Sequence, residues 1–304
     1  MPLPEIDEIF NKLGPTPRLC FNTDWTKYQR ELNRALGKLS LAYLENLASC
    51  EPLELDAVSH KLFMLRRSSI DEVDSEEEMQ PISPFVRSKI AIRMRALKRH
   101  ELVSLFNRYN ALPSTRKMTG DVFEAYCHIV FSTKIKFDFV KMVRIGGQPT
   151  AREKMMAQWF SSHSEFTSGP QSQKLNVLRS SALDSGVSLD VGPSRIVEYD
   201  SNEIAGGLQI EADVYYIPIT TTQVGIDSFI MHDEILYLLQ MTVSGTHDIS
   251  DGLWPFLKSL KGLPPKRNWR FIFLKPPAKR LACPVPHSAE LLDLDLYSAE
   301  IKVM

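Results

Sequence analysis

Ile235-Leu236-Tyr237-Leu238-Leu239-Gln240-Met241-Thr242-Val243 is the stretch on which the fold turns. Five apolar residues precede a lone Gln, and the run is too short and too β-prone for a long helix. A continuous apolar run of this length reads as a strand buried on both faces. Thirteen residues upstream of Gln240, Gly225-Ile226-Asp227-Ser228-Phe229-Ile230 is a second strand-like run with one acid. A short connection, Met231 to Glu234, separates the two, so hairpin pairing would set Asp227 near Gln240. Strand alternation puts Gln240 and Thr242 on one face and Leu239, Met241 and Val243 on the other.

Around this pair the second half of the chain alternates strand and helix. Strands are expected at Phe137 to Ile145, Arg195 to Tyr199, Val214 to Ile219 and Trp269 to Leu274. A terminal strand is expected at Tyr297 to Val303. A short helix, Gly252 to Leu260, separates the Gln-x-Thr strand from the next one. A turn of helix is read at Glu290 to Leu292. Residues 146–192 are polar and weakly periodic, and read as an insertion with a short helix near Ala151 to Phe160.

The first half reads as helical. Asp24 is a candidate N-cap, and Tyr28, Leu32, Leu36, Leu39, Tyr43 and Leu47 recur at helical spacing. The acidic run from Asp71 to Glu78 reads as a solvated loop. A long basic helix is expected from Pro84 to Tyr109. Val86, Ile90, Met94 and Leu97 form its apolar face, and Arg87, Lys89, Arg93, Arg95, Lys98 and Arg99 cover the rest. Another helix, Asp121 to Phe131, follows Thr119-Gly120. The fold class is therefore α/β (α+β): a helical region over 1–110 and a mixed-sheet domain over 111–304.

Composition narrows the function classes. The 304 residues carry a formal net charge of -1, so any surface for nucleic acid is a local patch. Four widely spaced cysteines give no zinc or disulfide framework and fit a reducing compartment, the cytoplasm or nucleus. No apolar stretch approaches the roughly 18 residues of a membrane span, and Met1 to Asp7 has no signal-peptide pattern. There is no phosphate loop and hence no nucleotide site, and no G-x-S-x-G elbow.

Metal-dependent phosphodiester hydrolysis uses carboxylates to hold a cation that polarises the phosphate and activates water. A lysine commonly stabilises the developing charge. Asp227 and Gln240 on neighbouring strands, with Glu124 on the preceding helix, are the candidate catalytic and metal-holding residues. Thr242 stands where a lysine would serve. His247 is a candidate base or phosphate ligand, and Lys258 and Lys261 are candidates to bring in a positive charge. The bland alternatives are an Asp at a strand end and a Gln that satisfies buried backbone. The basic helix is open to the same choice, between phosphate contact and a solvated scaffold face.

Gly120-Asp121-Val122-Phe123-Glu124-Ala125, Tyr215-Tyr216-Ile217-Pro218, Ile226-Asp227-Ser228-Phe229 and Leu239-Gln240-Met241-Thr242-Val243-Ser244, with His247, occur in an order that resembles the C-terminal region of fungal Crinkler and retrotransposon-hot-spot-like proteins. Phe271-Ile272-Phe273-Leu274 and Leu296-Tyr297-Ser298 extend the resemblance to about Pro84 to Met304. It implies a PD-(D/E)xK restriction-endonuclease-like domain. Glu124, Asp227 and Gln240 fall at the family's site positions, and Thr242 departs at the lysine position. The implied cofactor is Mg2+, and the implied partner is nucleic acid, DNA before RNA. An effector or transposon-linked role and a protein partner are further implications. Thr is neutral and short and does not replace an ammonium, so a catalytically inactive binding module of the same fold stands beside the nuclease. Phe10 to Phe21, with Arg18, resembles the end of the ATPase lid that precedes this domain in the family. That resemblance implies a remnant or a piece of a longer protein.

Overall fold

The computed structural model describes residues 14, 25–49, 59–67, 77–145, 177–180, 186–200, 204, 207–219, 225–284, 286 and 288–304. The expected lid segment with Arg18, the Asp24 cap and the helix near Ala151 to Phe160 lie outside them. The chain divides into two compact units: Met1–Ile129 with Ile219–Thr222 and Val303–Met304, and Val130–Pro218 with Gln223–Lys302.

The first unit is mainly helical. Helices α1 (Trp25–Gly37) and α2 (Leu41–Ser49) carry the expected apolar stripe. The stripe is broken at Ser40, whose Oγ accepts the Tyr43 N–H at 3.2 Å and caps α2. A one-turn helix α3 (Ser59–Leu62) leads into a hairpin of β1 (Phe63–Arg67) and β2 (Glu77–Pro81). The acidic run therefore ends inside a strand, because Glu77 and Glu78 pair with Arg67 and Arg66.

The single basic helix expected from Pro84 to Tyr109 is two helices, α4 (Pro84–Arg95) and α5 (Arg99–Ala111). Ser83 caps α4, with Pro84 at its first position. At the break, Glu101 reaches back to accept the Lys98 N–H at 2.6 Å, which restarts the helix. Val86, Ile90 and Met94 are fully buried, as are Leu102, Leu105 and Tyr109. Helix α6 (Arg116–Phe131) follows, and its Phe123 lies 5.9 Å from Phe106.

The second unit is built on a large mixed sheet. Its strands are β3 (Ile135–Ile145), β4 (Val177–Ser180), β5 (Val187–Val191), β6 (Arg195–Tyr199), β8 (Val214–Pro218), β9 (Ser228–His232), β10 (Ile235–Met241), β12 (Trp269–Lys275), β13 (Cys283–Pro284) and β14 (Leu296–Glu300). A small ribbon of β7 (Leu208–Gln209) and β11 (Leu260–Lys261) stands apart from it. The order across the large sheet is β13-β4-β3-β14-β12-β10-β9-β8-β6, with β5 also on β3. Strands β8, β9 and β10 form an antiparallel meander, and β10, β12 and β14 are parallel. The polar segment 146–192 thus contains two strands, β4 and β5, both paired to β3.

Strand β10 is central, and Leu236, Leu238 and Leu239 are wholly buried, as its continuous apolar run requires. Leu236 and Leu238 pack with Phe229, Phe271 and Phe273 under helix α7 (Leu253–Ser259), which contributes Leu253 and Leu257. Burying each such side chain contributes about 1.5–3 kcal/mol.

The β9–β10 turn fixes the register. Asp233 and Glu234 have φ of 49° and 58°, the handedness of a tight two-residue hairpin. His232 therefore pairs with Ile235, and the ladder runs back to Ser228 against Leu239. One step further, Asp227 comes opposite Gln240. Gly225 sets the approach: its φ is 87°, and a Cβ there would meet Leu253 Cβ at 2.9 Å.

Candidate functional site

The second unit brings Asp227, Gln240 and Thr242 to one end of the sheet. Asp227 Oδ2 accepts the Gln240 side-chain Nε2–H at 2.7 Å and the Met241 backbone N–H at 2.6 Å. The carboxylate therefore ties the last turn of β10 to the approach of β9. Gln240 is buried, so its amide needs a partner, and Asp227 supplies one.

Thr242, at the lysine position, is buried just past the end of β10. Its N–H donates to the Leu274 carbonyl at 2.9 Å, and its Oγ1 accepts the Ser244 N–H at 3.1 Å. The first bond continues the parallel β10–β12 ladder by one residue and sets Thr242 beside Lys275. Neighbouring strands lie about 4.8 Å apart, and laterally paired side chains share a face. Lys275 is itself buried and donates to Glu300 Oε1 at 2.7 Å, on the next parallel strand. Lys275 ends the apolar strand Trp269 to Leu274, just before Pro276-Pro277. The sequence signal was a lysine at that strand's end, and only the strand order places it by Thr242.

His247 lies in the loop after β10. Its Nδ1 is 2.9 Å from the Asp248 carbonyl, which only accepts, so the ring donates there. The ring centroid is 5.8 Å from that of Phe273, and the backbone N–H binds the Ala282 carbonyl. Lys258 and Lys261 are exposed, one on α7 and one in β11.

Glu124 belongs to the first unit, on α6. Its Oε1 lies 3.2 Å from Arg95 and 3.5 Å from His128 Nε2. Burial works to raise its pKa, but the hydrogen bond and charge of His128, with Arg95 and Arg87, hold it below the usual value. Asp121, one turn earlier, is buried against Arg87 of α4. Burial raises its pKa, and the Arg87 charge opposes the rise only in part. Arg99 donates to the Tyr126 hydroxyl at 3.0 Å and stacks its guanidinium over that ring. Three of the six cations read as candidate phosphate ligands on the basic helix thus hold α4 and α5 to α6.

A magnesium ion takes hard oxygen ligands in near-octahedral array, usually including one or two carboxylates. Asp227 supplies one carboxylate, and its Oδ2 already accepts two N–H groups. Among the described residues no three His, Cys, Asp or Glu side chains gather as a cation would need. This donor set does not fit a resident cation.

Fold and site together define a mixed α+β protein whose large sheet carries a hydrogen-bonded Asp-Gln pair at one end. Among the described residues no helix is long and apolar enough to cross a membrane. Comparison with family models, with curated proteins and with solved structures finds no match for this chain.

Proposed function

We propose that the second unit is a divergent nuclease-type domain, of the kind the Crinkler resemblance implies, that binds nucleic acid without cutting it. One observation carries this reading: the charges at the site are satisfied within the sheet. Asp227 holds Gln240 and the Met241 N–H, Lys275 holds Glu300, and Thr242 is neutral. Such an arrangement keeps a scaffold and has no group set to activate water. DNA is the preferred partner over RNA, and the cytoplasm or nucleus is the setting that goes with this reading. The test is retention of labelled DNA at 50 and 200 mM salt, alongside plasmid nicking with Mg2+ or Mn2+. Retention that falls with salt, without nicks, is expected. Neither retention nor cleavage would refute both binding and cutting.

A cutting reading rests on a different observation, the Lys275 ammonium carried by the strand position beside Thr242. There Lys275 or His247 would supply, beside Asp227, the positive charge that Thr242 lacks. Metal-dependent nicking abolished by Asp227→Ala and by Lys275→Ala would establish this reading in place of the first.

A further inference from the structure

Helix α7 carries an indole with two ammonium groups drawn to it. Lys258 Nζ lies 5.1 Å from the Trp254 ring centroid and Lys266 Nζ lies 5.8 Å from it. The two cations are thus no more than about 11 Å apart. Among the described residues neither stands in an ion pair, whereas Lys61, Lys117, Lys134, Lys141 and Lys275 all do. The Trp254 Nε1–H is buried and has no hydrogen-bond partner among the described residues. Trp269 packs with its ring centroid 6.2 Å from that of Trp254 and donates its own Nε1–H to the Pro264 carbonyl at 2.8 Å. Among the described residues, Glu290 is an acid that feels both charges. A hydrogen bond from Ser288 is the main cause of its lowered pKa, and the Lys258 and Lys266 charges add to it.

We infer that Trp254, Lys258 and Lys266 form a subsite for the phosphodiester backbone of single-stranded nucleic acid. The inference rests on the nucleic-acid reading above and says where that partner is held. Free lysine side chains lose conformational entropy when they engage a phosphate. An indole that already attracts both ammonium groups removes part of that cost before binding. Cations interleaved with an aromatic are the arrangement that single strands use, with sequence-tolerant contacts. On helix α4, Arg87 and Arg95 are paired to carboxylates, and Lys89 lies over Phe85 at 5.3 Å as a single cation on its ring, where Trp254 gathers two. Glu290 is the local opponent, since its charge repels phosphate.

The test is fluorescence anisotropy with a labelled oligo-dT, read from 50 to 200 mM salt on the full chain. For single strands each phosphate-bound cation contributes about 0.7 to the logarithmic salt slope. The Lys258→Ala/Lys266→Ala double variant should therefore lose about 1.4 from the slope and bind more weakly at low salt. Glu290→Gln should bind more tightly than wild type, a gain that misfolding does not produce. Wild-type binding with a slope untouched by the double variant would overturn this inference and leave the proposed function standing. No oligo-dT binding by the wild type would overturn this inference, and the proposed function would fall with it only if labelled duplex DNA is not retained either. A poly-glutamate peptide that displaces the oligonucleotide at equal charge concentration would overturn the nucleic-acid assignment in favour of an acidic protein partner.

Discussion

Replacing Asp227 by Ala distinguishes a structural carboxylate from a catalytic one by the sign of the stability change. The substitution leaves two donors, the Met241 N–H and the Gln240 amide, without their acceptor. A hydrogen bond to a charged group contributes about 1.5–3 kcal/mol. Both donors share one oxygen of a partly exposed side chain, so about 2–3 kcal/mol in total is the expected loss. Asp227→Asn keeps an acceptor oxygen and should lose about 1 kcal/mol. With a urea slope near 3 kcal/mol/M for a chain of this size, the Ala midpoint should fall by about 0.7–1 M. Tryptophan fluorescence follows the transition, since Trp254 and Trp269 both lie in the second unit. An acid kept for catalysis behaves in the opposite way, because removing it often raises stability. A midpoint equal to or above wild type would refute the scaffold role and return Asp227 to the candidate catalytic acids.

The Lys275–Glu300 pair should respond asymmetrically. Glu300→Gln leaves a buried ammonium uncompensated and should cost about 2 kcal/mol, whereas Lys275→Met leaves only a half-exposed carboxylate and should cost less than about 1 kcal/mol, both read by urea unfolding. Arg87→Ala strips the partner from buried Asp121, for about 2–3 kcal/mol near neutral pH, below the cost of a fully buried pair because Arg87 is half exposed. Asp121 binds its proton more tightly folded than unfolded, so its contribution to stability falls as pH rises above the usual carboxylate range. The Arg87→Ala penalty should therefore shrink when unfolding is measured near pH 4, and a penalty independent of pH would contradict it. Burial pushes the Cys283 thiol up to about 12. Peptide mass spectrometry should find it unalkylated by iodoacetamide at pH 8 until urea is added.

The strands of the meander were legible because local signals agree: continuous apolar runs, and a connection short enough to force a hairpin. Asp227 opposite Gln240 followed from that spacing. The break at Ala96 to Lys98 was hidden because no Gly or Pro marks it. What restarts the helix is Glu101 bonding to a lysine backbone N–H, outside the usual Ser/Thr pattern. Strands β4 and β5 leave no clear periodic signal because each is short and takes its order from β3. Lys275 beside Thr242 depends on which strand lies next to β10, and periodicity along one strand holds no information about its neighbour. The Trp254 cluster was invisible for a related reason, since Lys266 comes from beyond the helix that carries the indole.

The pairing of β3 with β14 joins Val140 to Ser298, positions more than about 150 apart in the chain. The hairpin of β9 and β10 needs only a two-residue turn. Closing the longer loop costs entropy that the hairpin never meets, so assembly of the sheet has a built-in order. Changes in the meander should slow refolding. Changes at the β3–β14 seam should mainly speed unfolding. The meander, where Asp227 clasps Gln240, would then be in place before β14 and β3 join the sheet.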